Sequence, residues 1–207
     1  MTRPMAFRRA FLIAPVAVLH LQAALAAASY RLTEWPAVAP GPNFQLVDMN
    51  GHRRSLRDYA GSVSIVFFGY THCPDVCPGE LLELSQVVRK LGPLASHVQV
   101  LFISLDPERD TPELLKDYVT SFDPRFIGLT GSNAEINAAA AGFSVQFAKV
   151  ALGNDFTVGH STGTYVLDQT GRLRLVGTLQ TSLDDWVHDL QILMGEGFPN
   201  GPNSTKK

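Results

Sequence analysis

The chain has 207 residues, a length typical of one domain with additional segments. Hydrophobic residues make up 45% of it and charged residues 17%, which allows a packed core and excludes a globally disordered chain. A formal net charge of −2 gives no basic footprint for nucleic acid, and two cysteines are too few for a disulfide-stapled scaffold.

Residues 1–28 have the anatomy of an export signal. Three arginines precede an apolar run from Ala10 to Ala28, and small residues in an A-x-A pattern end it. The run just reaches the length needed to cross a bilayer, so both a cleaved signal and a retained membrane anchor (residues 10–28) are open. Residues 8–12 also resemble a twin-arginine export signal. Either route predicts a periplasmic body, where disulfides can form and persist.

The rest of the chain predicts one α/β domain, residues 43–197, between a Pro/Gly-containing linker (29–42) and a polar tail (198–207). Asn50-Gly51 after the first strand pattern is a strong hairpin signal. Buried or alternating strand patterns occur at residues 44–48, 63–68, 98–103, 126–129, 164–167 and 173–176. Helix patterns follow Pro78, Thr111, Ser132 and Ser182. Interleaved strands and helices predict a mixed sheet flanked by helices on both faces, with an N-terminal β-hairpin.

Cys73 and Cys77 directly follow the most apolar strand pattern, where the next helix begins. A helix N-terminus favours a thiolate, because its backbone N–H groups are unpaired and its dipole end is positive. If this turn is helical, the i, i+4 spacing brings the sulfurs close enough to share a metal ion or to form a disulfide. A purely structural disulfide is the alternative, although such a short loop would stabilise the fold little.

Two thiolates favour soft ions, and only two cysteines disfavour a structural zinc site or an iron–sulfur cluster. Cu(I) accepts low coordination numbers, so one histidine would complete its site. His160 lies in a glycine-flanked loop before a strand and is the favoured third ligand. His72 is the alternative by proximity. The others are predicted to be solvent-exposed (His52), structural (His97 and His188) or confined to the signal (His20).

The run Phe67–Pro78, which reads Phe-Phe-Gly-Tyr-Thr-His-Cys-Pro-Asp-Val-Cys-Pro, resembles the signature of the Sco (SenC) proteins. These are thioredoxin-like copper proteins that support assembly of cytochrome c oxidase. Similar motifs follow in order at residues 104–112, 128–131, 160–161 and 165–168, so that the resemblance covers residues 44–193. It implies a thioredoxin-like fold with the first hairpin as an addition, and a copper site made by Cys73, Cys77 and His160. One departure is Gly159, where the family often has Asp before the histidine.

The resemblance leaves two functions open. One is a copper metallochaperone, carrying Cu(I) or Cu(II), that delivers the ion to the binuclear copper site of an oxidase subunit. The other is a thiol–disulfide oxidoreductase in which Cys73 and Cys77 reduce the acceptor's cysteines, so whether the protein is an enzyme stays open. Copper sensing or peroxide defence has no sequence feature of its own. The expected partners are the copper-site subunit and a periplasmic copper donor or thiol reductant, with no nucleic acid.

Overall fold

The computed structural model describes residues 29–36 and 42–197. The predicted signal or anchor, part of the predicted linker and the predicted tail lie outside these residues. No helix in the described part of the chain is both long enough and apolar enough to span a bilayer.

The fold is a large mixed sheet flanked by helices, as the sequence predicts. The strands are β1 (Thr33–Glu34), β2 (Gln45–Asp48), β3 (Arg53–Ser55), β4 (Val63–Gly69), β5 (Val98–Ser104), β6 (Ile127–Thr130), β7 (Phe147–Leu152), β8 (Asp155–His160), β9 (Thr164–Leu167) and β10 (Leu173–Gly177). Eight of these strands form the large sheet in the order β1-β10-β9-β4-β5-β6-β2-β3, and β7 and β8 form a separate two-stranded sheet.

Four α-helices accompany the sheet: α1 (Val76–Lys90), α2 (Pro112–Thr120), α3 (Asn133–Gly142) and α4 (Leu183–Gly197). Helices α1 and α4 pack together, α2 packs against β6, and α3 packs against β2. The N-cap signals act as the sequence predicts, since Thr111 and Ser132 both accept backbone N–H bonds from the first turns of their helices.

The register of the central strands decides what meets at one end of the sheet. Strand β4 is buried along its whole length and runs parallel to β5, with Gly69 opposite Ser104. It runs antiparallel to β9, with Phe67 opposite Thr164. The loop after β4, the loop after β5 and the residues before β9 therefore lie at the same end of the sheet. The loop after β4 carries Cys73 and leads to Cys77 at the start of α1, and the residues before β9 follow His160.

Two elements differ from the sequence expectation. Thr33–Glu34 pairs with β10, so the sheet begins before residue 43, where the domain was predicted to start. The β7–β8 hairpin occupies residues 147–160, for which no strand was predicted. His160 is consequently the last residue of a strand, rather than part of a loop.

Candidate metal centre

The two cysteines sit on either side of the start of α1. Cys77 is in the first turn and completely buried, whereas Cys73 lies in the preceding loop and is partly exposed. The two thiols do not share one helical face, because the condition for this, a helical turn from Cys73 to Cys77, is not met: α1 begins only at Val76. Its N-cap residue, Asp75, makes no side-chain capping bond. Instead the Cys77 N–H points at Cys73 Sγ, 3.5 Å away, so that the sulfur takes the position of a capping acceptor.

This arrangement gives the two thiols opposite acidities. Burial opposes ionisation of Cys73, but backbone N–H groups of Cys77, Asp75 and Val76 outweigh burial and lower the pKa of its thiol. Burial raises the pKa of the Cys77 thiol well above its ordinary value, and the neighbouring Cys73 raises it further. The pair thus combines a partly exposed thiol that ionises readily with a buried thiol that does not.

Glycine is required where β4 meets the buried thiol. A Cβ at Gly69 would lie 2.8 Å from Cys77 Sγ and 2.8 Å from Cε2 of Phe102, closer than real contacts allow. The glycine lets the Cys77 sulfur pack directly on the end of the strand.

A buried carboxylate holds the cysteine loop to the β5–α2 connection. Asp110 is fully buried, and its oxygens accept bonds from the Thr71 N–H (3.0 Å), the Thr71 hydroxyl (2.6 Å) and the Ser104 hydroxyl (2.6 Å). His72 is exposed, with Nδ1 3.0 Å from the Thr71 hydroxyl and 3.8 Å from an Asp110 oxygen. These contacts give the loop of residues 106–110 a structural role, because Asp110 holds it to the cysteine loop.

His160 approaches the cysteine loop from the β7–β8 hairpin. Its Nδ1 lies 2.7 Å from the carbonyl oxygen of Ser161. A carbonyl can only accept, so Nδ1 carries the proton and Nε2 of the neutral ring keeps a lone pair for a metal. The His160 ring stands edge-on to the Tyr70 ring, with centroids 6.5 Å apart, and Tyr70 lies three residues before Cys73.

The structure brings Cys73 and Cys77 together and places His160 against Tyr70 of the same loop, without closing a three-ligand site. In the part of the chain that the structure describes, a single group of three candidate ligands has its atoms within 4.8 Å of one another, and that group is His72, Asp106 and Asp110. Its two aspartates already accept bonds from Thr71, Ser104 and Arg109.

The remaining described histidines stand elsewhere. His52 is exposed beside Asp48, and His188 is half-buried with Nδ1 2.7 Å from Asp189. His97 is partly buried at the end of a short 3-10 helix. At Gly159 a Cβ would lie 3.8 Å from Val150, an ordinary contact, so space does not explain the missing aspartate.

Comparison with known proteins gives a consistent result. The family model described as SCO1/SenC matches residues 34–195. An SCO2-like protein of Rickettsia prowazekii is 38% identical over 135 residues, which cover 64% of this chain. They cover 66% of that relative, just under two thirds of its length.

Solved structures agree with this assignment. The copper-bound structure of Bradyrhizobium japonicum ScoI has 42% sequence identity and a TM-score of 0.69, covering 74% of this chain and 98% of that one. BsSco, a member of the Sco family of cytochrome c oxidase assembly proteins in which a disulfide switch was identified, is 24% identical with a TM-score of 0.61. That likeness covers 80% of this chain and 96% of BsSco, and it shows the shared fold.

Proposed function

The chain belongs to the SCO1/SenC family, and from this premise we propose that it is a copper chaperone that binds one copper ion through Cys73, Cys77 and His160. The single observation that carries the proposal is the pair of adjacent thiols at the start of α1, with the imidazole of His160 against Tyr70 in the loop that precedes them. The copper-bound ScoI of B. japonicum, similar over 74% of this chain, supports copper as the cargo.

The donor set fits Cu(I) by its chemistry. Thiolate sulfur is a soft ligand, imidazole is compatible with copper, and the described chain offers no further cysteine for a four-sulfur site. Because His160 Nδ1 donates to the carbonyl oxygen of Ser161, Nε2 is the ring atom available to bind copper. Binding by all three residues needs His160 closer to the sulfurs than it stands in this structure.

Delivery would proceed by ligand exchange at the partly exposed Cys73. We propose as acceptor the binuclear copper site of a cytochrome oxidase subunit, since the Sco family is one of cytochrome c oxidase assembly proteins. Incoming cysteines of that subunit would displace Cys73 first and the buried Cys77 last. An open three-coordinate ion permits such an attack, because no fourth ligand has to leave.

An anaerobic Cu(I) titration of the reduced chain against a competing chelator tests the site. We expect one equivalent to bind tightly, and affinity to fall by about 10-fold or more in His160→Ala and further in the Cys73→Ser/Cys77→Ser double variant. His52→Ala, at an exposed histidine far along the sequence from the cysteines, is the matched control and should bind as the wild type does. Binding that is indifferent to His160 would overturn the three-ligand site.

The acidity difference between the thiols favours a second candidate function, reduction of the acceptor's disulfide. The Cys73 thiolate would attack one acceptor sulfur and release the other as a thiolate, giving a mixed disulfide. Cys77, after losing its proton, would then attack Cys73 Sγ and release the second acceptor thiol. The acceptor gains two electrons, a Cys73–Cys77 disulfide forms, and an external thiol reductant restores the dithiol.

The two functions differ in what they require of His160. Disulfide reduction needs only the two cysteines, whereas three-ligand copper binding also needs the imidazole. The rate of reduction of a model disulfide peptide should therefore be unchanged in His160→Ala if the dithiol acts as a reductant, while copper affinity falls in the same variant.

We further propose that the protein works outside the bacterial cytoplasm, where it would meet a copper donor and the oxidase subunit. The basic start and apolar run of residues 1–28 support export. Mass spectrometry of the N-terminus of the protein from membrane and soluble fractions distinguishes a cleaved signal from a retained anchor.

A further inference from the structure

The hairpin that carries His160 is not part of the main sheet. Strands β7 and β8 pair only with each other among the described strands, and five of the six residues of β7 are exposed. Val158 is the one buried side chain among residues 147–160, and Phe147 and Phe156 pack against the core only partly buried, so hydrophobic packing fixes the hairpin less firmly than the main sheet. Its position depends on a few specific contacts with the rest of the molecule.

The first contact joins the hairpin directly to the cysteine loop. The Tyr70 hydroxyl lies 2.7 Å from the Thr157 hydroxyl, and Tyr70 is 3% exposed. Tyr70 also accepts the Cys73 N–H on its carbonyl oxygen at 3.2 Å and presents its ring edge-on to His160. Tyr70 thus contacts both segments that carry proposed ligands. It lies three positions before Cys73 in the cysteine loop, and in the hairpin it contacts Thr157, three positions before His160.

The second contact joins the hairpin to residues 106–110. Arg109 donates to the Asp155 carboxylate (3.0 Å) and to the Phe156 carbonyl (3.3 Å), and its guanidinium carbon lies 3.8 Å from the centre of the Phe156 ring. Its Nε is bonded to the buried Asp106. The same loop carries Asp110, which holds Thr71, so residues 106–110 contact both sides of the proposed site.

We infer that Tyr70 and Arg109 are positioning residues that hold the β7–β8 hairpin against the cysteine loop, so that His160 stays near this loop and can move onto a copper ion bound by Cys73 and Cys77. The inference rests on the proposed function. Without these contacts the hairpin would sample a wider range of positions, and ordering it on metal binding would cost conformational entropy. Removing either contact weakens copper binding only through His160.

Tyr70→Phe in the full chain is the decisive variant, because it keeps the buried ring and removes only the hydroxyl. We expect Cu(I) affinity in the chelator competition to fall by about 10-fold, the lower end for residues that orient metal ligands. Thr157→Val removes the other hydroxyl and should have the same effect, with no further loss when the two changes are combined. The matched control is Tyr59→Phe, which removes a buried hydroxyl that makes no hydrogen bond in the structure.

Measurements in the His160→Ala background separate positioning from a general loss of stability. There Tyr70→Phe should leave affinity unchanged, because the ligand that Tyr70 positions is absent. On Cu(II), electron paramagnetic resonance should show weaker nitrogen coupling in Tyr70→Phe than in the wild type. Equal affinity and coupling in Tyr70→Phe and wild type, or an equal loss with and without His160, would overturn the inference.

Arg109→Gln supplies a second test at the other contact. It should lower affinity in the same His160-dependent way, while Arg125→Gln, which removes a guanidinium paired with Asp123 outside the site, should not. Arg109→Gln leaves the buried Asp106 without its cation, so circular dichroism is used to check that this variant folds. If Arg109→Gln does not fold, the result for Tyr70→Phe decides the question. Wild-type affinity that is indifferent to His160→Ala would instead refute the proposed function.

Discussion

Cys73 and Cys77 are four positions apart in the sequence, yet the start of α1 divides them between two environments. The thiol outside the helix receives backbone N–H groups, and the thiol inside the first turn is fully buried against Gly69. In either proposed function Cys73 is the group that an incoming sulfur meets. Cys77 then acts as the retained ligand or as the second, resolving thiol.

This asymmetry predicts selective alkylation. Because Cys73 is partly exposed and its thiol pKa is lowered, iodoacetamide should modify Cys73 at least 10-fold faster than the buried Cys77 in the reduced native chain at pH 7.5. The rate of Cys73 alkylation should already be high at neutral pH, and it should reach its plateau at a lower pH than the alkylation rate of an ordinary thiol. Peptide mapping by mass spectrometry measures both sites, and unfolding in urea, the control, should equalise them. Faster modification of Cys77 in the native chain would contradict the assignment.

The sequence predicts which segments end near one another better than it predicts how their side chains are arranged. The apolar run before Cys73 and the strand start at Thr164 suffice to bring the cysteines and His160 to one end of the sheet. The position of Cys73 before the helix could not be inferred, because Pro74 and Asp75 fit both a loop and a first turn. Tyr70 gave no polar signal, since its hydroxyl partner is 87 positions away in a hairpin that was not predicted.

At the scale of elements, α3 shows a sequence signal that the structure matches closely. Ser132, after which the sequence predicts a helix, forms a capping box with Glu135, in which the Ser132 N–H donates to Glu135 at 2.8 Å. Arg53 on β3 adds a bond of 2.6 Å to the other carboxylate oxygen. Glu135 therefore caps the N-terminus of α3 and connects that helix to the β2–β3 hairpin.

These contacts predict an acid-sensitive contribution to stability. Hydrogen bonds from the Ser132 backbone and then from Arg53 lower the pKa of Glu135 to about 2. A carboxyl with a lowered folded-state pKa stabilises the fold above its ordinary pKa and loses that effect as the pH falls toward 2. Glu135→Gln should thus melt about 1–3 °C below wild type at pH 6–7, and this difference should shrink to zero near pH 2.

Differential scanning calorimetry across this pH range measures the effect. Glu113→Gln removes a comparable first-turn charge from α2, which has no capping box, and serves as the control with a smaller difference. A melting difference between Glu135→Gln and wild type that stays constant from pH 7 to pH 2 would refute the coupling.

The β7–β8 hairpin is the element that sequence patterning missed. Strand β7 has no buried face, so its residues lack the alternation of buried and exposed positions that marks a half-buried strand. The turn between β7 and β8, at Gly153-Asn154 with Gly153 at φ 62°, is typical of a hairpin. The residues on either side of it show too weak an alternation to predict strands. Contacts from Tyr70 and Arg109 hold the hairpin in place. Both residues are distant from it in sequence, so a local periodic pattern cannot reveal these contacts.

Across the whole molecule, the chain before the predicted domain completes one edge of the sheet. Thr33–Glu34 pairs with β10, and the Trp35 ring packs edge-on against Tyr165 with centroids 6.0 Å apart. A two-residue strand supplies few ladder bonds, so the segment needs another attachment. The short outer strand also shields β10, which would otherwise present an unpaired edge.

Asp189 on α4 provides that attachment. Its carboxylate is fully buried, and one oxygen accepts the backbone N–H groups of Arg31 (2.8 Å) and Leu32 (2.7 Å). The other oxygen lies 2.7 Å from Nδ1 of His188. The three hydrogen bonds stabilise the buried Asp189 carboxylate in this position, and removing the carboxylate leaves the three donors without an acceptor.

Asp189→Ala should therefore lower the free energy of unfolding by about 1–3 kcal/mol, as expected when buried donors lose their partner. Hydrogen exchange should show the loss first at the amides of residues 31–34, because the segment detaches from α4 while the sheet remains folded. Asp189→Asn, which keeps an acceptor oxygen, should lose less, and Asp184→Ala, at an exposed aspartate of the same helix, should change neither measurement appreciably. Unchanged protection at residues 31–34 in Asp189→Ala would mean that the β-pairing, the Trp35 packing and the Arg31–Asp185 ion pair hold the segment without Asp189.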